Sequence, residues 1–305
     1  MATPAFPASE RTPSAVTIKR VAALLGAGVQ SWHPVRGGNT VAERWRVEDT
    51  RGRSAFVKLG TTEQTVAWLR DEWRIYGQLA APFLPAVLGW DEGDAERSPI
   101  LLLEDLSAAH WPPPWTPKLI QRTLDALTQV ASTTPPSGLP LLVAEQAELP
   151  GWSRVATASD AFLGLALCSP QWLERALSAL LAAEQGAVLE GDNLLHLDVR
   201  SDNLCLASDH VVLVDWNWAC RGNGRADVAW WLPSLASEGG PPPDEILPNE
   251  PAFAALLSGY WAARAGLPPP LPGSPLRATQ LRQLRSALPW AARALGLPPL
   301  DGPAL

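Results

Sequence analysis

A chain of 305 residues, of which 47% are hydrophobic, can bury one large core or two smaller ones without disulfide or metal cross-links. Its formal net charge of −7 argues against a broad surface for nucleic acid or anionic membranes, because both need clustered positive charge. Three cysteines and four histidines show neither the spacing of a disulfide framework nor that of a zinc site. We therefore expect a small-molecule partner, with no nucleic acid and no membrane.

Residues 1–14 are rich in proline, serine and alanine and predict a disordered N-terminal lead. This lead has no apolar core of signal-peptide length. No apolar run elsewhere approaches the roughly 20 residues of a membrane span. The sequence therefore predicts a cytoplasmic protein.

Residues 15–104 predict a small unit of mixed structure, the N-lobe. Apolar positions at helical spacing predict helices over residues 16–27 and 62–79. Short runs of β-type composition predict the strands of a small sheet, at residues 41–48, 55–59, 86–90 and 100–103. The first two runs flank turn-forming residues and predict a hairpin.

Residues 105–305 predict a larger and mostly helical unit, the C-lobe. The boundary is expected near residues 104–107, because the β-type runs give way there to a proline-rich connector at residues 110–117. Helical patterns cover residues 119–131, 171–185, 225–236, 251–265 and 276–295. Between them, two short apolar runs at residues 204–207 and 211–214 predict a hairpin. The expected fold class is α+β, with a small antiparallel sheet and a helical lobe.

The excess acidity of the chain is concentrated in one stretch. Residues 186–250 contain eleven acids and three bases, whereas the rest of the chain is close to neutral. This stretch also contains the most informative motif, HxDxxxxN, followed after eleven residues by an aspartate at the end of an apolar run.

The residues of this motif are His196, Asp198, Asn203 and Asp215. Phosphoryl transfer needs one carboxylate to accept the proton of the attacking hydroxyl, and oxygen ligands for the Mg²⁺ that holds the nucleotide phosphates. In that interpretation Asp198 is the base, and Asn203 and Asp215 are the metal ligands. The alternative is a polar turn between strands with a solvated aspartate.

Lys58 is one of only three lysines, against 21 arginines, and it lies inside an apolar strand where a solvated charge has no obvious place. An ammonium group binds phosphate oxygens as a compact charge and needs a carboxylate to hold it in position. Glu72, which shares a helix face with apolar residues, is the expected partner, and Glu63 is its rival. The alternative is a lysine on an edge strand that points to water.

Together these segments resemble the aminoglycoside phosphotransferase and choline kinase group of small-molecule kinases. The resemblance covers about residues 30–265. It is strongest in LLHLDVRSDNLCL, VVLVDWNWA and GRADVAWWL, and weaker in RGGNT, AFVKL, RDEWRIYGQL and LLLEDL. It implies a two-lobed protein-kinase-like fold and a kinase that uses ATP or GTP with Mg²⁺.

The resemblance assigns further roles. The residues implied to bind the nucleotide are Lys58 and Glu72 as an ion pair, Leu103 and Asp105 at the hinge that meets the adenine, and Gly37, Gly38 and Asn39 in a turn over the phosphates. The two glycines are equally compatible with an ordinary hairpin turn. His196 and Asp227 are implied to support the catalytic loop.

The sequence departs from the family pattern at two places. Leu197 stands where the family usually has glycine, and Asn217 follows Asp215 and Trp216 where Asp-Trp-Glu or Asp-Phe-Gly is usual. Neither change removes an oxygen ligand. Arg200 occupies the place of a lysine in many protein kinases and is a candidate for stabilising charge on the transferred phosphoryl group. The alternative is a surface arginine that pairs with Asp202.

The acceptor is expected to be a small molecule with a hydroxyl group. Asp215 and Asp227 are only 12 residues apart, which leaves no room for the activation segment on which protein kinases dock a peptide. A cationic or sugar-like substrate would suit the remaining acidic and aromatic residues, which are Glu238, Asp244, Glu245 and Trp218. A solvated acidic loop and a core tryptophan are the alternatives.

The sequence thus predicts an ATP- and Mg²⁺-dependent kinase that acts on a hydroxyl group of a small molecule. A catalytically silent nucleotide-binding module that works as a sensor or partner is the rival hypothesis. A metal-dependent phosphohydrolase is a third, but it leaves Lys58 unexplained. A monomer is slightly favoured over an oligomer.

Overall fold

The computed structural model describes residues 12–35, 42–145, 148–270 and 274–303. The chain divides into two compact units, Met1–Ala109 and His110–Leu305. The boundary expected at residues 104–107 lies shortly before this division. The predicted lead over residues 1–14, apart from residues 12–14, and the predicted turn at Gly37, Gly38 and Asn39 lie outside the described residues.

The described helices and strands of the first unit are α1 (Ala15–Leu25), β1 (Val29–Pro34), β2 (Glu43–Asp49), β3 (Ser54–Leu59), α2 (Glu63–Gln78), β4 (Val87–Asp91) and β5 (Ile100–Glu104). The strands form one antiparallel sheet in the order β1-β2-β3-β5-β4. β3 and β5 are therefore inner strands. Most of their apolar residues are buried, and the strands on either side pair their backbone N–H and C=O groups.

The hairpin of β2 and β3 is closed by Asp49. Its buried carboxylate accepts the backbone N–H groups of Arg51 and Arg53, at 2.8 and 3.0 Å. Gly52 lies in the same turn at φ = 75°, a conformation that glycine adopts without steric cost. The resulting register pairs Arg44 with Lys58, so Lys58 lies in the interior of the sheet and not at its edge.

α2 begins at a capping box, in which the side chains of Thr62 and Thr65 each accept the backbone N–H of the other residue. The face of α2 that is buried carries Leu69, Glu72 and Tyr76. Glu72 is therefore a carboxylate on the apolar face of the helix. Such a group needs a partner to remain buried.

The described elements of the second unit are α3 (Pro117–Ser132), α4 (Trp152–Thr157), α5 (Asp160–Leu163), α6 (Pro170–Gln185), β6 (Asn193–Leu195), β7 (Leu204–Ala207), β8 (His210–Leu213), β9 (Cys220–Gly222), α7 (Arg225–Ser237), α8 (Pro243–Ile246), α9 (Pro251–Ala265) and α10 (Leu276–Ala294). Short 3₁₀ turns lie at Leu142–Glu145 and Trp216–Trp218. β6 pairs with β9, and β7 pairs with β8, both antiparallel. The predicted hairpin at residues 204–214 is present.

α9 is the central helix of the second unit and packs against α10, α6 and α4. It is buried on most sides because it is surrounded by these helices. The buried carboxylate of Glu184 on α6 accepts the backbone N–H groups of Gly151 and Trp152 and so caps the start of α4. Among the described helices, none is both long and apolar enough to cross a membrane.

Candidate active site

The first group of site residues lies in the first unit, around Lys58. The Nζ atom of Lys58 donates to Oε2 of Glu72 at 2.5 Å, and both side chains are at least 90% buried. Tyr76, one helical turn after Glu72, donates its hydroxyl to Oε1 at 2.8 Å. Glu63, the rival partner, is exposed at the start of α2. The structure therefore pairs Lys58 with Glu72.

The predicted hinge residues lie at the end of β5. Leu103 is buried in the sheet, opposite Phe56 of β3 and Val87 of β4. Asp105 follows the strand, and its Oδ2 accepts Nε of Arg46 at 2.5 Å. The structure thus places Leu103 in the core of the sheet and Asp105 in an ion pair with β2.

The second group lies in the second unit, on a loop over residues 196–203 between β6 and β7; we call it the catalytic loop. The Nδ2 atom of Asn203 donates both to the backbone carbonyl of Asp198 at 2.9 Å and to its Oδ2 at 2.8 Å. The Nε atom of Arg200 lies 3.5 Å from Oδ1 of the same carboxylate. Both oxygens of Asp198 are thus oriented by neighbours on the loop.

The environment of Asp198 makes it a stronger base than an ordinary aspartate. Desolvation raises its pKa to about 6, although 29% of its side chain is exposed. The positive charge of Arg200 opposes this increase, whereas the negative charges of Asp202 and Asp215 add to it. A carboxylate with this pKa is deprotonated at neutral pH and accepts a proton readily.

His196 acts as a scaffold for this loop. Its Nε2 lies 2.9 Å from the carbonyl of Val214, and its Nδ1 accepts the backbone N–H of Asp198 at 3.2 Å. This arrangement requires the neutral tautomer with a proton on Nε2, and burial lowers the pKa of His196, which favours the neutral form. The ring also packs edge-on against Trp216. His196 therefore ties the loop to the end of β8.

Asp227, in the first turn of α7, holds the start of the catalytic loop. Its buried carboxylate accepts the backbone N–H groups of His196 at 2.8 Å and of Leu197 at 2.7 Å. Leu197 has φ = 62°, in the left-handed region that favours glycine. A leucine is thus held here in a backbone conformation that glycine would adopt without steric cost.

We expect the Leu197→Gly variant to be more stable than the Leu197→Ala variant by about 1 kcal/mol. Both variants remove the side chain, but only glycine relieves the cost of a positive φ. Urea unfolding of the two proteins measures the difference. Equal stabilities would show that the backbone at residue 197 is not strained.

Asn203 and Asp215 lie close together because the β7–β8 hairpin brings its two ends to one side. The N–H of Val214 donates to the carbonyl of Asn203 at 2.9 Å, and Asp215 follows directly in a left-handed conformation with φ = 65°. One carboxylate and one amide oxygen are a donor set that fits Mg²⁺, which takes its other ligands from phosphates and water. Among the described residues, no group of three or more His, Cys, Asp and Glu side chains is arranged to hold a metal ion.

Arg200 forms the predicted pair with Asp202 and also lies beside Asp198. Its guanidinium binds Asp202 through two hydrogen bonds of 3.0 and 3.1 Å, and it also lies beside Asp198. Its side chain is only 19% exposed. The pairing with Asp202 therefore fixes the guanidinium next to the proposed base.

The predicted substrate residues lie in three elements: Glu238 follows α7, Asp244 and Glu245 lie on α8, and Trp218 ends the second 3₁₀ turn. Both oxygens of Glu238 accept hydrogen bonds, from Trp115 Nε1 at 2.8 Å and Ser201 Oγ at 2.6 Å. Sequence analysis missed both of these donors, which no motif marks. Asp244 forms two hydrogen bonds with Arg293, at 2.9 and 2.6 Å.

The other two predicted substrate residues are more accessible. Glu245 lines an open groove of about 490 Å³ with Gln121 and Ile246, between α3 and α8. Trp218 is 51% exposed, at the end of the 3₁₀ turn after Asp215. Glu245 and Trp218 are thus exposed, whereas Glu238 and Asp244 are half-buried.

The family of the chain follows from comparison with known proteins. The family model of the APH phosphotransferase enzyme family matches residues 31–267. The chain therefore belongs to this family and is a phosphotransferase. No curated protein is similar enough in sequence to match the chain.

Solved structures of phosphotransferases share the fold at low sequence identity. An aminoglycoside phosphotransferase from Alicyclobacillus acidocaldarius subsp. acidocaldarius DSM 446 is 15% identical, with a TM-score of 0.57 over 94% of this chain and 96% of that one. Choline kinase LicA from Streptococcus pneumoniae is 14% identical, with a TM-score of 0.58 over 92% and 98%. A spectinomycin phosphotransferase is 11% identical, with a TM-score of 0.56 over 88% and 93%. The predicted family and protein-kinase-like fold are confirmed.

Proposed function

We propose that this phosphotransferase transfers the γ-phosphoryl group of ATP or GTP, with Mg²⁺, to a hydroxyl group of a small molecule. The observation that carries the proposal is the arrangement of Asp198, Asn203 and Asp215 on the catalytic loop and the adjoining hairpin. The similar spectinomycin phosphotransferase was crystallised with ADP and spectinomycin, which supports a nucleotide and a small acceptor.

In the proposed reaction the carboxylate of Asp198 accepts the proton of the acceptor hydroxyl. The hydroxyl oxygen forms a bond to the γ-phosphorus while the bond from that phosphorus to the bridging oxygen breaks, and the nucleoside diphosphate leaves. Asn203 and Asp215 would hold Mg²⁺, which neutralises charge on the phosphates. Lys58, fixed by Glu72, would bind phosphate oxygens.

The acceptor is proposed to be small because the segment after Asp215 is short and structured. It consists of the 3₁₀ turn Trp216–Trp218 and of β9, which is paired with β6 before α7 begins. A peptide substrate would need a longer segment on which to dock. Glu245 and Trp218 remain the proposed contacts for a cationic or sugar-like acceptor.

The proposed setting is the cytoplasm, with no nucleic-acid partner. Cys168, Cys205 and Cys220 are buried thiols, and their spacing in the sequence shows no disulfide framework, which is typical of proteins in reducing compartments. The net charge of −7 disfavours binding to nucleic acid. A monomer remains slightly favoured.

We expect kcat/KM to increase with pH through a pKa near 6, because Asp198 must be deprotonated to act as the base. Arg200 lowers the pKa of Asp198, so the Arg200→Ala variant should shift this limb to higher pH. The Arg200→Lys variant keeps the charge and should shift it less. A pH–rate profile measures the effect, and an unshifted acid limb in Arg200→Ala would contradict the assignment of this limb to Asp198.

A screen of acceptors tests the proposed function. Purified protein is incubated with Mg-ATP or Mg-GTP and with amino sugars, amino alcohols or nucleosides, and the phosphorylated acceptor is detected by mass spectrometry. We expect one class to gain a phosphoryl group, with no product from the Asp198→Asn variant. Nucleotide binding without transfer to any acceptor or to water would favour the silent module instead.

A further inference from the structure

Glu238 is the residue immediately after α7, and its carboxylate joins two distant parts of the second unit. Oε1 accepts the hydroxyl of Ser201, in the middle of the catalytic loop, at 2.6 Å. Oε2 accepts the indole N–H of Trp115, in the proline-rich connector, at 2.8 Å. Hydrogen bonds to a carboxylate are stronger than those between neutral groups. Both oxygens of Glu238 are thus used within the protein.

The partners of Glu238 are themselves fixed. Trp115 packs against Trp231 of α7, with ring centroids 5.4 Å apart, and Trp231 is fully buried. At the start of the connector, His110 exchanges two backbone hydrogen bonds with Leu206 of β7. The connector is therefore anchored to the second unit at both ends, and it offers the carboxylate of Glu238 a rigid donor.

Asp227 and Glu238 contact the catalytic loop from opposite ends of α7. Asp227 lies in the first turn of the helix, and Glu238 directly follows its last residue. Asp227 holds the loop at residues 196–197 through backbone N–H groups, and Glu238 holds it at Ser201. Asp198 lies between these two points of attachment.

The position of Ser201 bears on the geometry of the proposed base. Asn203 orients the carboxylate of Asp198 through two hydrogen bonds. The direction of this carboxylate therefore depends on the conformation of the loop between residues 198 and 203. Asp227 alone fixes only the N-terminal side of this segment. An anchor at residue 201 restricts the segment between Asp198 and Asn203, and small displacements of reacting groups cost large factors in rate.

We propose that Glu238 is a positioning residue that holds the catalytic loop through Ser201 and thereby orients Asp198. The proposal rests on the proposed function, in which Asp198 is the base. It replaces the expectation that Glu238 binds a cationic substrate, since both of its oxygens have donors within the protein.

Two variants remove the contact from opposite sides. Ser201→Ala deletes only the hydroxyl, and Glu238→Leu keeps the approximate size of the side chain but removes both acceptor oxygens. We expect each to lower kcat by about 10-fold to 100-fold, with the KM for nucleotide changed less than about twofold. The kcat of the double variant should be no lower than that of the more impaired single variant, because both substitutions remove the same hydrogen bond. Ser201→Thr keeps the hydroxyl and should restore most of the rate.

Hydrogen exchange of the catalytic loop supplies a readout that does not depend on turnover. Amides over residues 196–203 should exchange faster in Ser201→Ala and Glu238→Leu than in the wild type. Asp192→Asn is the matched control, since it removes one negative charge from a side chain that is 92% exposed, and it should change neither exchange nor kcat.

Unchanged exchange in both variants, or faster exchange with an unchanged kcat, would overturn the positioning role. Additive losses in the double variant would also overturn it, because Ser201 and Glu238 would then act separately. Failure of the proposed function appears differently, as a wild-type protein without phosphoryl transfer. In that case the hydrogen-exchange rates of residues 196–203 in the variants still show whether Glu238 holds the loop.

Discussion

The Asp198→Asn variant is expected to lose about 10²-fold to 10⁴-fold in kcat while its affinity for Mg-nucleotide changes little. Asparagine keeps an oxygen that can accept the hydrogen bond from Asn203, so the loop retains its shape. It cannot accept the proton of the acceptor hydroxyl. Steady-state kinetics and nucleotide titration of the same preparation separate the two effects.

The same variant should be more stable than the wild type at neutral pH. Desolvation raises the pKa of Asp198 from 3.8 to about 6, so the protonated form is favoured in the folded protein. That contribution to stability is present at low pH and is lost as the pH rises through about 6. Asparagine stays neutral and avoids the loss, which corresponds to at most about 3 kcal/mol.

Thermal unfolding as a function of pH checks this second effect. The stability difference between Asp198→Asn and the wild type should shrink as the pH falls below about 6, because the wild-type carboxylate then becomes neutral too. A variant that is less stable than the wild type at neutral pH, but equally stable at low pH, would mean that the charge of Asp198 is favourable in the fold. A variant that keeps full kcat would exclude Asp198 as the base.

Lys58→Met is expected to destabilise the protein by about 3–5 kcal/mol, because it leaves the carboxylate of Glu72 buried without its cation. Glu72 is only 1% exposed, so water cannot replace the ammonium group. The double variant Lys58→Met with Glu72→Gln removes the stranded charge and keeps an acceptor for the hydroxyl of Tyr76. We expect it to recover most of the lost stability, as measured by urea unfolding.

Nucleotide binding distinguishes the structural role of the pair from its proposed role in catalysis. The double variant, although stable, should bind Mg-nucleotide at least about tenfold more weakly, because the phosphates lose the ammonium group. A stable double variant with wild-type affinity would show that Lys58 serves only the fold. A double variant as unstable as Lys58→Met would show that the buried charge is not the cause of the instability.

Much of the site can be read from the sequence because its residues lie at fixed distances within single elements. Periodicity places Glu72 on the apolar face of α2, and the short apolar run AFVKL places Lys58 within a strand. The spacing of Asp198, Asn203 and Asp215 reflects a loop and the hairpin that follows it. Each of these features can be recognised within a segment of fewer than 20 consecutive residues.

The features that were missed depend on pairing over long distances. β6 and β9 are three residues each, too short to show a period, and they form only because they pair with each other. β1 was also missed, since VQSWHP shows no regular alternation and ends in proline.

Charges are a further case in which the sequence is insufficient. Counting acids identified Glu238 and Asp244 as candidates for binding a cation, but their partners are Trp115, Ser201 and Arg293, which are distant in the chain. The sequence contains these donors without indicating which acid each one meets. These acids and their partners meet only because α7, α8 and α10 pack against one another within the second unit.

The central claim, that Asn203 and Asp215 form the metal site of a nucleotide-dependent phosphotransferase, is tested most directly by calorimetry. Titration of the wild type with ATP or GTP, with and without Mg²⁺, should show binding that depends on the metal. In the Asp215→Ala variant this dependence should be lost, whereas Asp198→Asn should retain it. Unchanged metal-dependent affinity in Asp215→Ala would contradict the assignment of the site.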